Sequence, residues 1–192
     1  MLDHKGTNVI ETTRLILRPF RSSDAEFMFR NWASDPEVTK FLTWNAHRSI
    51  YDSEYVINLW TSQYNDISRY NWAIVLKELG EPIGGIDVVK IYENTDTAEI
   101  GYNIGREWWN MGIVTEAFNA IIPYLFEIGF KQIRAAHAAK NPASGRVMEK
   151  CGLKYEGTLR RFFRANSGEL LDICYRSILR EEYYPDAIIP PK

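Results

Sequence analysis

The sequence predicts a mixed α/β domain: a central, twisted, mostly antiparallel sheet of about seven strands, flanked by helices. Three observations lead there. Seven short segments rich in apolar and β-branched residues read as strands, and two later segments switch to helical spacing. Short turn signals between three mid-chain strands suggest an antiparallel meander, and the order of elements fits neither a regular βα alternation nor a closed barrel. At 192 residues the chain fits one domain, residues 1–192, with its core at about 11–184. Only the ends, residues 1–10 and the Pro-rich 185–192, read as loose.

Arg14–Phe20 alternates apolar and polar residues and predicts the first strand. Ser23 precedes Asp24, Ala25 and Glu26, an N-cap with acids in the first helical turn. Asp35-Pro36 opens a second short helix. A longer one over about Ser49–Tyr64 sets Tyr51, Tyr55 and Leu59 on one face. Trp72–Lys77, Pro82–Ile91 and Ala98–Ile104 follow as strands, with Gly84-Gly85 marking a bulge. From Val114 to Phe126 the apolar spacing is helical, Gly129 ends the run, and Pro123 predicts a local kink. Gln132–Ala138 is the next strand. Asn141 then caps a helix with Pro142 in its first turn, Val147, Met148 and Cys151 facing inward, Gly152 closing it and Leu153 packing back. Two final strands, near Tyr155–Phe163 and Leu170–Leu179, are joined by the turn Asn166–Gly168.

Composition excludes several classes. With 45% apolar and aromatic residues the chain builds a core without staples. Its net charge of −2 and pI near 6.0 argue against bulk nucleic-acid binding. The N-terminus lacks the apolar run of a signal peptide, and the longest run, Ala120–Phe126, is too short to span a membrane. Cys151 and Cys174 make no disulfide framework, and no His/Cys/Asp cluster has metal spacing. A cytoplasmic domain without a metal is the simplest reading. The 14% aromatic content fits a pocket or an oligomer interface, so a homodimer stays open.

Chemistry concentrates at Glu99–Ala117, where a strand runs through a short loop into a helix starting near Gly112. Amides at a helix start are unpaired and sit at the positive end of the helix dipole, so they suit a phosphate or pyrophosphate. A glycine there lets the ligand approach the main chain. The loop lacks the Gly-Lys-Ser/Thr of a nucleoside-triphosphate loop. A purely structural glycine explains the same pattern.

Trp109-Asn-Met-Gly112-Ile-Val114, continuing Thr115-Glu116-Ala117, resembles the acetyl-CoA pyrophosphate motif Gln/Arg-x-x-Gly-x-Gly/Ala of the GNAT superfamily. Trp109 departs from Gln/Arg in the manner of the RimJ/RimL-like branch, which includes ribosomal-protein-alanine N-acetyltransferases. Val114 departs from Gly/Ala and would crowd the ligand unless its side chain turns inward. Asn141–Ser144 through Glu149-Lys150-Cys-Gly152-Leu153 is similar to that branch's Asn-x-x-Ser…Glu-Lys-x-Gly-Phe segment. Thr13–Arg18, Leu42–Trp44 and Glu156…Tyr175 match as well, so the resemblance covers about residues 11–184.

The resemblance implies a GNAT fold with acetyl-CoA as acetyl donor. A primary amine would be the acceptor, preferably a protein N-terminal amine, with a polyamine, amino acid or aminoglycoside as the alternative. A coenzyme-A-binding module without turnover is the rival from another class. The coenzyme is expected on Ile104, Trp109, Asn110, Met111, Gly112, Ile113, Val114, Thr115, Asn141 and Ser144. Glu99 would be the general base, acting through water, with a solvated strand Glu as the alternative. Ser144 would steady the leaving thiolate, although helix capping also accounts for it, as it does for Asn141. Trp44 and Tyr102 are the expected acceptor contacts. His137 reads as a core histidine, and Arg160, Arg161 and Arg164 as a solvated basic cluster.

Overall fold

A computed structural model describes residues 2–184; the tail predicted at 185–192 lies outside them. Eight strands form one sheet: β1 (Ile10–Glu11), β2 (Leu15–Arg18), β3 (Asn71–Leu76), β4 (Glu81–Tyr92), β5 (Thr97–Ile104), β6 (Gln132–Ala138), β7 (Lys154–Arg164) and β8 (Leu170–Leu179). Their order across the sheet is β1-β2-β3-β4-β5-β6-β8-β7. The strand beyond the expected seven is β1, whose two residues are too few for a periodic signal. Every pairing is antiparallel except β5 with β6. That parallel step needs a crossover, which the helix between them supplies.

The helices are α1 (Ala25–Met28), α2 (Pro36–Thr39), α3 (Ile50–Ser62), α4 (Ile113–Ile128), α5 (Pro142–Lys150) and α6 (Arg180–Tyr183). A π-turn, Phe29–Ala33, extends α1. Ser23 does not cap the first helix, because it lies inside a 3₁₀ turn, Ser22–Asp24. Asp24 instead makes a buried two-point ion pair with Arg18, at 2.7 and 2.9 Å, and accepts the Arg21 amide. Asp35 does cap α2, accepting the Glu37 amide at 2.9 Å, with Pro36 in the first turn.

α4 and α5 cover one face of the sheet. Nine α4 side chains, among them Val114, Phe118, Ile121 and Phe126, are buried in the main core against β2–β6. The helix ends at left-handed Gly129 as expected, and it runs through Pro123 as one segment. α1 and α3 cover the other face over β2–β4, packing on Phe20, Ala73 and Val75. The central strand β3 is therefore buried on both faces, whereas the edge strand β7 is almost wholly exposed.

One expectation gains a direction and two change. The stripe Tyr51, Tyr55 and Leu59 does share one face of α3, but that face is exposed; Ser53 and Ile57 point inward. Ser53 tolerates burial because its hydroxyl bonds His47 Nδ1 at 2.7 Å. The irregularity near Gly84-Gly85 falls at Ile83, which has no partner between the pairs Ile74–Gly84 and Val75–Pro82. A second bulge sits at Val89, between Val88–Ile100 and Lys90–Glu99. The N-terminal segment is not loose. The Trp72 indole donates to the Asn8 carbonyl at 2.7 Å, the Tyr124 hydroxyl to that of Gly6 at 2.6 Å, and the Asp3 amide to that of Ile128 at 2.8 Å.

Candidate active site

The β5–β6 ladder pairs Thr97–Ile100 with Gln132–Ala135 and then stops, while both strands continue. Beyond that point Ala136–Ala138 pair only with β8. The inner edge of Gly101–Ile104 is thus a row of main-chain groups without a strand partner, and such groups seek another hydrogen-bonding partner. Tyr102 stands in this opening on the α4–α5 side. Its hydroxyl lies 2.8 Å from Ser144 Oγ and 3.0 Å from the Ser144 carbonyl, in the first turn of α5. Burial pushes the Tyr102 phenol well above its ordinary value, against the opposing effect of the Ser144 bond. It stays neutral and keeps a proton to donate.

Asn141 caps α5, its Oδ1 accepting the Ser144 amide at 3.3 Å. That engages its side-chain oxygen. His137 packs between β6 and α5. Its Nδ1 lies 2.9 Å from the Ala138 carbonyl, and a Cβ on Gly145 would sit only 2.7 Å from its Nε2.

At the far end of β5 the chain turns through Arg106–Trp108 into the helix start. The Trp109 indole donates to the Ile104 carbonyl at 3.0 Å, so Ile104 has its oxygen committed and its side chain in the core. Asn110 and Gly112 both adopt left-handed backbone, at φ 62° and 74°. No side chain caps α4, and the first helical amide with a partner of its own, that of Glu116, bonds the Gly112 carbonyl at 3.0 Å. The amides before it have no i−4 acceptor. Ile113 and Val114 are buried, so the branched side chain at 114 turns into the core and away from the loop. Trp109 and Met111 are exposed.

One contributor escaped the sequence reading. Arg14 donates to the Met111 carbonyl at 3.0 Å, and its Nη2 lies 3.7 Å from where a Gly112 side chain would begin. Glu116 holds it there through a 2.6 Å ion pair and also accepts from Thr12. Burial opposes the Glu116 charge, yet these bonds keep its carboxyl below the usual range. A row of unpaired amides, an open glycine and a guanidinium make an anion cradle of the kind a pyrophosphate needs.

Glu99 is placed differently from a free base. Its Oε2 accepts from Arg134 at 2.6 and 2.9 Å and from the Tyr92 hydroxyl at 2.8 Å, while Arg134 also bonds Tyr92. The base role expected of Glu99 thus falls on a carboxylate already engaged by an ion pair and a phenol. Arg134 and Tyr92 were missed, because only the parallel register brings Arg134 opposite Glu99. Trp44 is half-buried, its ring 5.3 Å from that of His47, and its carbonyl accepts from Asn166 of the β7–β8 turn at 2.7 Å. Beside it a cavity of about 490 Å³ opens between the α2 loop and that turn, lined by Phe41, Asn45, Arg48, Asn166 and Glu169. Tyr102, hydrogen-bonded to Ser144, does not line this cavity. Arg160, Arg161 and Arg164 are exposed on β7, as expected of a solvated cluster.

Among the described residues no helix is long and apolar enough to cross a membrane, and no group of three metal-binding side chains occurs. The model of the family "Acetyltransferase (GNAT) domain" matches residues 14–154. The chain is 32% identical over 177 residues to the uncharacterized N-acetyltransferase p20 of Bacillus licheniformis, covering 90% of this chain and 96% of that one. It is 30% identical over 162 residues to the "Putative ribosomal N-acetyltransferase YdaF" of Bacillus subtilis, covering 83% and 85%. The crystal structure of the microcin C7 self-immunity acetyltransferase MccE, in complex with acetyl-CoA and AMP, superposes with a TM-score of 0.79 over 88% of this chain and 93% of that one, at 23% identity.

Proposed function

The chain belongs to the GNAT acetyltransferase family, and we propose that it acetylates a protein N-terminal amine in the cytoplasm, by direct attack within a ternary complex. Acetyl-CoA is the cosubstrate, and it supplies an acetyl group activated as a thioester. The observation that carries the reading is the interrupted β5–β6 ladder, with the Tyr102–Ser144 hydroxyls at its mouth and the Gly112 cradle beyond it.

The roles follow from position. The amides ahead of Glu116, with Arg14, hold the pyrophosphate. The unpaired edge of Gly101–Ile104 bonds the extended arm and polarises the carbonyl in which negative charge develops. Tyr102, neutral and hydrogen-bonded to Ser144, donates toward the departing sulfur; a thiol of pKa about 8.5 needs only modest help to leave. An α-amine, with a pKa of about 7.7–8.0, is already partly neutral at pH 7, whereas a lysine near 10.4 is not. The open cavity beside Trp44 has room for the first residues of a peptide, and the name of YdaF points to the same acceptor class.

Calorimetric titration with acetyl-CoA, on the native chain and on Gly112→Trp, is the first test. Micromolar binding to the native chain, lost in the variant, is expected, because the new side chain is strained at φ 74° and fills the cradle. Thiol release is then compared between peptides with free Ala or Ser N-termini and a panel of polyamines, amino acids and aminoglycosides. No binding of acetyl-CoA overturns the transferase reading. Release with small amines alone overturns the peptide acceptor.

A further inference from the structure

Among the described residues, Asp87 is the carboxylate at the opening that no other side chain engages. It lies on β4 directly opposite Gly101, the first residue of β5 beyond the last β6 pair. Gly101 has no side chain to separate them. Asp87 Oδ1 would be 3.3 Å, and Val89 Cγ1 2.6 Å, from a Cβ built there. The carboxylate therefore overhangs the point where the free edge of β5 begins, on the face opposite Tyr102 and Ser144. It is half-buried, and among the described residues no hydrogen bond or neighbouring charge acts on it beside burial itself.

Among the described residues its surroundings contain no neutralising charge. β3 presents Asn71 across the ladder, β5 presents Gly101, and Val89 closes the side on its own strand. Tyr64, after α3, bonds the Asn71 carbonyl and is the neighbouring titratable group. The full charges nearby are already paired, Arg18 with Asp24 and Arg134 with Glu99.

We propose that Asp87 is the general base of the transfer, taking the proton of the acceptor amine; this rests on the acetyltransferase reading above. The acceptor enters as an ammonium and gives one proton to the Asp87 carboxylate, directly or through one water. The nitrogen lone pair attacks the thioester carbon, the C–N bond forms and the C–S bond breaks. The nitrogen's second proton balances the departing thiolate, which leaves as the thiol, and the proton on Asp87 returns to solvent. Burial alone raises the Asp87 carboxyl to about 7, and a base titrating there is matched to work at neutral pH. Glu99, by contrast, is engaged by Arg134 and Tyr92.

The test has two readings, one of which needs no acceptor. Carbon-detected NMR of the native chain should give Asp87 a titration midpoint near neutrality; a midpoint in the ordinary carboxylate range overturns the proposal. Asp87→Asn removes no existing contact, so the variant should fold and bind acetyl-CoA within about twofold of native. With whichever amine of the panel releases most thiol, its kcat/KM should fall by about 100- to 10,000-fold, and the acid limb near pH 7 should vanish. A native enzyme whose rate and acid limb survive the substitution overturns the assignment to Asp87 and leaves the transferase reading standing. Failure of acetyl-CoA to bind the native chain overturns both.

Discussion

Asp87 links chemistry to stability, because its carboxyl titrates at about 7 when folded and near 3.8 in the unfolded chain. Between those values the folded chain holds a proton that the unfolded chain has lost. Stability is therefore greatest from this group below about pH 4, falls as pH rises to about 7, and is unaffected by it above. Asp87→Asn carries no such penalty. Its melting temperature should exceed native by a margin that grows from pH 4 to pH 7 and then stays constant, as a series of thermal melts would read. A margin independent of pH would mean that Asp87 is not desolvated. The same residue marks what the sequence conceals. Gly112, Asn141 and Ser144 are legible because each sits in a local pattern, a helix start or a cap. Asp87 faces Gly101 only through the β4–β5 register, and that register depends on a bulge at Val89 that no local pattern announces. Arg14 and Arg134 were hidden for the same reason, since their partners lie 102 and 35 residues away.

Among the elements, α4 shows how far periodicity reaches. Its spacing identified the buried face and its end at Gly129, yet the helix passes through Pro123 unbroken. Pro123 offers no amide to the carbonyl one turn earlier, at Asn119, and a proline inside a helix costs about 3 kcal/mol relative to alanine. Part of that is recovered because proline also restricts the unfolded chain, by about 0.4–1 kcal/mol. Pro123→Ala should accordingly stabilise by about 2 kcal/mol, raising the melting temperature by about 4–8 °C for a chain of this size. A lower melting temperature would show that the proline shapes the helix for its packing. In α3 the period was right and left the direction open. Spacing says which residues share a face, not which face is covered, and the His47–Ser53 bond let a serine take the inward position while Tyr51 and Tyr55 point out.

For the molecule as a whole, the order of strands and helices was legible from alternation, turns and caps, because each is local. How the N-terminal segment is tied was not. Residues 2–9 carry no periodic signal, but bonds from Trp72 and Tyr124 fasten them across the sheet and α4. The strand order, with β8 inserted between β6 and β7, also follows from long-range pairing alone. The early stop of the β5–β6 ladder has a consequence for cohesion. Only four register pairs join the half of the sheet built from β1–β5 to the half built from β6–β8. A coenzyme arm lying along Gly101–Ile104 would serve as the missing length of seam, a reactant that is also mortar between two walls. In hydrogen-exchange measurements, the amides of Tyr102 and Ile104, which alternate away from β4 toward the free edge, should exchange fast in the free protein and become protected when acetyl-CoA is added. Turnover would then require the enzyme to unstitch its own sheet at every release of product.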